Sequence, residues 1–234
     1  MPSHQKDHHL TKIPNLTRLP WVGSEFPNAE RRLLIVGESH YAMGKTQTEY
    51  EEDLLRQKNP DFTRRLIDET QIQNLYKYQL LDNFWQALFQ KQPNKSEVWK
   101  HISFYNFIQR SMDYSSFDGE KKEQPNNSDF KNGWAVFAEL VKVLKPTDCI
   151  FLGLKASEGF GNLKTDLKVT QFDYSYAPKI GNMTPLEGSV TIDEQKINVS
   201  FIQHCSSFFS PQSWNPFLQK RHPELIDFLM KKSF

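Results

Sequence analysis

Cysteine is scarce: Cys149 and Cys205 are the only two among 234 residues. That count excludes a disulfide framework, a four-cysteine zinc site and a cysteine-held iron–sulfur cluster. Long apolar runs are missing as well, and none approaches the ~18 residues that a membrane-crossing helix needs. Residues 1–10 carry His4, His8 and His9 without the apolar stretch of a secretory leader. The expectation is a cytoplasmic protein with no membrane partner. Neither sign of charge dominates, with 29 basic residues against 28 acidic ones and a net charge of +1. Extensive coating of nucleic acid is therefore disfavoured, while a locally basic groove remains compatible with the balance.

What is present suffices for a core. Hydrophobic residues make up 38% of the chain and aromatics 13%, in a length that suits one compact domain. Residues 1–30 are polar and punctuated by Pro14, Pro20 and Pro27. They read as an extended N-terminal arm docked through Trp21 and Phe26, leaving 31–234 as a single domain. Leu33 to Val36 is a short apolar run stopped by Gly37, the pattern of a buried strand. Asp148 to Leu152, stopped by Gly153, repeats it, and Lys168–Phe172 and Asn198–Gln203 add two more candidates. The charged segment Tyr50–Ile67 reads as helix. Leu75, Tyr78, Leu81, Phe84, Trp85 and Leu88 form one helical stripe, and Trp134, Phe137, Leu140, Val141 and Leu144 form another, ended by Pro146. Pro223 suits the first turn of a closing helix. The polar stretch 113–132 reads as a long loop.

Strands alternating with helical stripes predict an α/β sheet layered between helices. Ligands of such sheets gather at the carboxyl ends of the strands. That rule selects Gly37–Tyr41, Gly153–Ser157 and His204–Ser210. The first, Gly37-Glu38-Ser39-His40-Tyr41, reads locally as a polar strand-to-helix turn. It is not a nucleophile elbow, because Tyr41 stands where that turn needs glycine. It is not a phosphate loop, because six residues rather than four separate Gly37 from Gly44-Lys45-Thr46. Asn106, among Phe104, Tyr105 and Phe107, reads either as a buried amide bonded to backbone or as a donor–acceptor pair for a planar heterocycle. After the last strand, Phe208 and Phe209 in a serine-rich loop read as an apolar wedge or an interface element. His4, His8 and His9 suit a solvated tail better than a metal site, and no metal or cofactor is called for.

Taken together, four segments resemble the uracil-DNA glycosylase superfamily, in that family's order. Leu33 through Tyr41 is similar to its first-strand motif, with its Gly-Gln-Asp-Pro-Tyr and Gly-Glu-x-Pro variants. Phe104-Tyr105-Asn106 is similar to the strand end that carries the base-reading Asn. Leu144-Lys145-Pro146 through Gly153-Leu154-Lys155 resembles its Lys-Pro, strand and Gly-Lys segment. His204-Cys205-Ser206-Ser207-Phe208 resembles its His-Pro-Ser intercalation loop, with Cys205 in place of Pro and Phe208 in place of Leu. The resemblance covers about residues 31–219. The two-cysteine count sets the chain apart from the iron–sulfur branches.

The resemblance implies a three-layer α/β/α sandwich with a short, mainly parallel central sheet. It also implies a DNA glycosylase that hydrolyses the N-glycosidic bond of uracil or another modified base after flipping it. The partners would be DNA carrying that base and the small nucleobase product. In this assignment Glu38, Ser39, His40 and His204 are the catalytic candidates, and Tyr41 and Asn106 bind the base. Phe208 and Phe209 intercalate, while Lys155, Ser206 and Ser207 contact DNA. Ser39 stands where the family's water-activating Asp is usual, and His40 where Pro is. Glu38 is thus the one carboxylate of the motif. A catalytically weak nucleic-acid or nucleotide-binding protein of the same fold is the alternative. An esterase-like reading of Gly-Glu-Ser-His accounts for the first motif alone.

Overall fold

The computed structural model describes residues 2–115, 122–162, 169, 171–206 and 208–234. Nine strands are described: β1 (Trp21–Val22), β2 (Leu33–Gly37), β3 (His40–Gly44), β4 (Ile102–Asn106), β5 (Ser111–Ser115), β6 (Asp148–Leu152), β7 (Gln171–Tyr176), β8 (Leu186–Ile192) and β9 (Gln195–Ile202). Seven of them form one sheet in the order β1-β4-β2-β6-β9-β8-β7. The central four, β4, β2, β6 and β9, run parallel, and antiparallel strands flank them on both sides. The protein is a mixed α/β fold with a parallel centre.

The central strands are rich in apolar residues, and Leu33–Val36 and Cys149–Leu152 are unbroken apolar runs, because both faces of the sheet are covered. Leu34 and Val36 point into one core with Cys149 and Phe151, whereas Leu33 and Ile35 point into another with Ile150 and Leu152. Alternation along the strand thus divides one apolar run between two layers. The first core packs against α6 (Asn127–Leu144) around Trp134, Phe151 and Phe201. The second packs against α4 (Gln79–Phe89) and the helices Pro211–Arg221 and Pro223–Ser233. In it, Trp99 meets both Trp21 and Trp85 edge-on at 5.8 Å. No helix among the described residues is long and apolar enough to cross a membrane.

Several expectations are corrected. The N-terminal arm is not merely laid on the domain: Trp21–Val22 pairs with Phe104 and Ser103 as an edge strand of the sheet. The segment after Gly37 is not a turn into a helix. Extended backbone resumes at His40, and β3 pairs in parallel with β5, seventy residues on, as a separate two-stranded sheet. The Tyr50–Ile67 segment divides into α2 (Gln47–Gln57) and α3 (Phe62–Ile67), because Pro60 disfavours helical backbone at Asn59. Leu75 lies outside α4 and is exposed.

The 113–132 stretch is ordered at both ends, by β5 and by an Asn126–Asp129 capping box that opens α6. Lys168 of the candidate third strand lies outside the described residues, and the strand there runs from Gln171 to Tyr176. Besides the short helices Asp7–Leu10 and Lys95–Val98, two longer elements went unread in the sequence. One is β8, which forms a hairpin with β9 through Asp193 and Glu194, both at positive φ (45° and 66°). The other is the helix Pro211–Arg221, which buries only Trp214 and Leu218 and has Pro216 in its interior.

Candidate functional site

Parallel pairing brings the carboxyl ends of four strands together. Gly37 is opposite Asn106, Val36 opposite Phe151, and Leu152 opposite Ile202. Whatever follows Gly37, Leu152 and Ile202 must therefore crowd beside Asn106. A cavity of about 560 Å³ opens there, and Glu38, Ser39, His40, Tyr41, Asn106, His204 and Ser206 all line it. Seven of the candidate site residues, from three segments of the sequence, meet at one place. Its remaining wall was not anticipated. It comes from Asp53, Arg56 and Gln57 of α2, from Phe62 and Leu66 of α3, from Tyr78 to Leu80, and from Lys122.

Asn106 is 2% exposed, and its Nδ2 has no hydrogen-bond partner among the described residues. Its carboxamide lies so close across Gly37 that a Cβ at that position would collide with Oδ1. Glycine is required there by this close approach. The backbone carbonyls of Gly37 and Glu38 accept from the N–H groups of Phe107 and Ile108, both at 2.9 Å. These bonds hold the exits of β2 and β4 side by side.

Burial raises the Glu38 carboxyl above its usual range, while the Lys155 and Lys122 charges pull it down. His204 is pushed to about 4, first by burial and then by Lys122. At neutral pH it is an uncharged imidazole whose Nδ1 lies 2.8 Å from Ser206 Oγ. If the serine hydroxyl donates to Nδ1, the ring carries its proton on Nε2. Tyr41 is half-buried, its ring 3.8 Å from Lys122 Nζ, a cation–π contact. Burial raises its phenol, and the Glu38 and Glu123 charges add to the rise. Lys122 is placed by its neighbour Glu123, whose carboxylate pairs with Arg110 at 2.7 Å and accepts from the Asp113 N–H at 2.8 Å.

No protein-family model matches this chain, and no curated protein matches it.

The remaining candidates fall into distinct places. His40 is 5% exposed, with Nε2 3.0 Å from Thr63 Oγ1 and its ring edge-on to Phe62 at 4.8 Å. Burial, aided by Arg18 and Arg56, lowers it to about 3. It suits a neutral wall of the cavity rather than a group that exchanges protons with a substrate. Lys155 does not line the cavity; its Nζ donates to Gln124 Oε1 at 2.6 Å. Phe208 is 99% exposed and has left-handed backbone at φ 62°. Phe209 is corrected: it is buried and stacks on Trp214, with centroids 6.0 Å apart and planes at 15°. It is part of the core and cannot enter a DNA stack. Ser207 lies outside the described residues.

Chemically, the cavity combines a carboxyl group of raised basicity, a neutral imidazole, an amide with an open donor, aromatic and aliphatic walls, and a cation. That set suits a planar polar ligand held edge-on by hydrogen bonds. Gln57 and Arg56 had no signal in the sequence beyond that of polar residues on a charged helix.

Proposed function

We propose that this protein is a DNA glycosylase-like hydrolase of the uracil-DNA glycosylase type, cleaving the N-glycosidic bond of a flipped, modified base. The observation that carries the reading is the buried Asn106 carboxamide, its Nδ2 without a partner among the described residues, in the same cavity as Glu38 and His204, at the carboxyl ends of parallel strands. A base flipped from a duplex loses its stacking and pairing, at a cost of about a few kcal/mol. An open amide edge and the half-buried Tyr41 ring would return part of that.

In the reaction the C1′–N bond breaks, and its electron pair passes to the departing base. His204, neutral and fixed through Nδ1, offers Nε2–H to the charge that develops there. Positive charge develops on the sugar beside Glu38. The carboxylate stabilises it electrostatically and accepts a proton from the water whose oxygen bonds to C1′. Burial makes Glu38 a better proton acceptor than an exposed carboxylate. Phe208, fully exposed on the loop after β9, would fill the gap left in the stack. Ser206 and Lys155 would face the strand backbone.

Oligonucleotides carrying uracil and a panel of modified bases, followed by detection of abasic sites, test the reading. Release of one free base supports it. A folded protein that releases none across the panel favours a binding protein of the same fold. One observation favours that reading: Asp53, the other carboxylate that lines the cavity among the described residues, is paired with Arg56 at 2.7 Å, so no second carboxylate among these residues stands free beside Glu38.

A further inference from the structure

The α2 wall of the cavity adds a further buried polar atom without a partner among the described residues. Gln57 is 2% exposed and lines the cavity, and its Oε1 accepts no hydrogen bond from any described residue. The amide cannot turn to relieve this. Its Nε2 donates to the Tyr41 carbonyl and to Asp53 Oδ2, both at 2.9 Å, and both partners are acceptors only. Turning the amide would set oxygen against oxygen at both contacts.

Its surroundings are equally fixed. Asp53 also accepts from the Met43 N–H at 3.0 Å and from Arg56. The Gln57 carbonyl accepts from Nε of buried Arg18 at 2.8 Å. Backbone and side chain are therefore both anchored, and the one free position is an acceptor. A buried acceptor left unpaired is costly, so a residue built this way is satisfied by what occupies the cavity.

We infer that Gln57 is a specificity-determining residue that accepts a hydrogen bond from the amino group of an amino-bearing nucleobase, while Asn106 donates to an acceptor on another edge of the same ring. The inference rests on the nucleobase reading of the cavity but not on cleavage. A volume of about 560 Å³ admits a bicyclic base as readily as a monocyclic one. A base without an amino group can reach Oε1 only through a ring N–H, and an acceptor placed for an exocyclic donor disfavours the analogue that lacks it.

Calorimetric binding of free 2′-deoxynucleosides in matched pairs tests this: deoxyguanosine with deoxyinosine, deoxyadenosine with purine deoxyriboside, and deoxycytidine with its pyrimidin-2-one analogue. In at least one pair the amino-bearing member should bind about tenfold more tightly. Gln57→Met should bring that ratio close to unity while leaving the affinity for the member without the amino group nearly unchanged. General damage to the fold would weaken both members alike. Equal binding within every pair by the unsubstituted protein overturns the inference, as does a preference that survives Gln57→Met, or binding of none of the nucleosides. Base release from oligonucleotides with no Gln57-dependent preference would remove this inference and leave the glycosylase reading standing. A Gln57-dependent preference without base release would do the reverse.

Discussion

His222 Nδ1 lies 2.8 Å from Asp148 Oδ1, and Nε2 of the same ring lies 2.9 Å from Ser200 Oγ. The order Ser–His–Asp is that of a hydrolase triad, yet all three residues are buried and none lines the cavity. Asp148 opens β6, Ser200 lies within β9, and His222 joins the two C-terminal helices. The chain of bonds ties that helical corner to the sheet. Burial acts to raise the Asp148 carboxyl, but its bonds to His222, Thr147 and Asn198 prevail and hold it below its ordinary value of 3.8.

A carboxyl with a depressed pKa in the folded state stabilises the fold above its unfolded pKa, and that contribution is lost as pH falls through the folded value. Asp148 should therefore contribute to acid unfolding below about pH 4. Asp148→Asn should flatten that limb in melts recorded against pH. His222→Ala should cost about 3 kcal/mol, because it strands a buried carboxylate. Base release per folded molecule should not change; a loss of activity with unchanged melting would contradict a purely bracing role.

His40 acts on stability with the same sign for a different reason. The unfolded chain takes up a proton near pH 6.5, while the buried ring resists until about 3. Stability should fall as pH drops from about 6.5 towards 3, by at most ~1.4 kcal/mol per pH unit from this residue. Chemical denaturation at several pH values, compared with His40→Leu, measures the slope. An equal slope in the variant would show that His40 is not the group responsible.

His204 should matter for chemistry far more than for affinity. Loss of one donor aimed at developing charge typically costs ~3–4 kcal/mol of transition-state stabilisation, on the order of a hundred- to a thousandfold in rate. His204→Ala should show that loss in single-turnover base release, with DNA affinity nearly intact. Because the ring titrates near 4, the rate should have no inflection near pH 6.5 arising from this residue. Equal losses in rate and affinity would reduce His204 to a binding contact.

Phe208 and Phe209 should behave as opposites. Phe208→Ala removes a side chain that is 99% exposed and should leave the melting temperature nearly unchanged. It should weaken engagement of paired duplex more than of single strands, where little unstacking remains to be offset. Phe209→Ala removes the ring stacked on Trp214 and should cost about 3 kcal/mol of stability. Melting curves of both variants beside rates on both substrates decide. Matching losses on the two substrates for Phe208→Ala would mean that it is not a wedge.

Single segments of sequence were enough wherever burial on both faces leaves an unbroken apolar run. Leu33–Val36 and Asp148–Leu152 are legible as central strands for that reason, and their glycine stops mark the edge where Glu38, Asn106 and His204 gather. The stripes of α4 and α6 are legible because helix period and core contact agree. Other features depend on partners far away in the chain. β3 is a strand because β5 pairs with it, and its own residue types, His-Tyr-Ala-Met-Gly, show no apolar alternation. Gln57 looks like any polar residue of a charged helix until Arg18, Asp53 and the Tyr41 carbonyl enclose it and leave one oxygen open.

The two adjacent phenylalanines mark the boundary most sharply. Residue type alone predicts the same fate for Phe208 and Phe209, as two large apolar side chains in one loop. The sequence by itself determined that apolar rings stand at the end of the last parallel strand, beside the histidine. Only the tertiary structure decided between them: left-handed backbone at Phe208 turns its ring to solvent, while Trp214, from a helix the sequence did not reveal, is in place to take up the ring of Phe209.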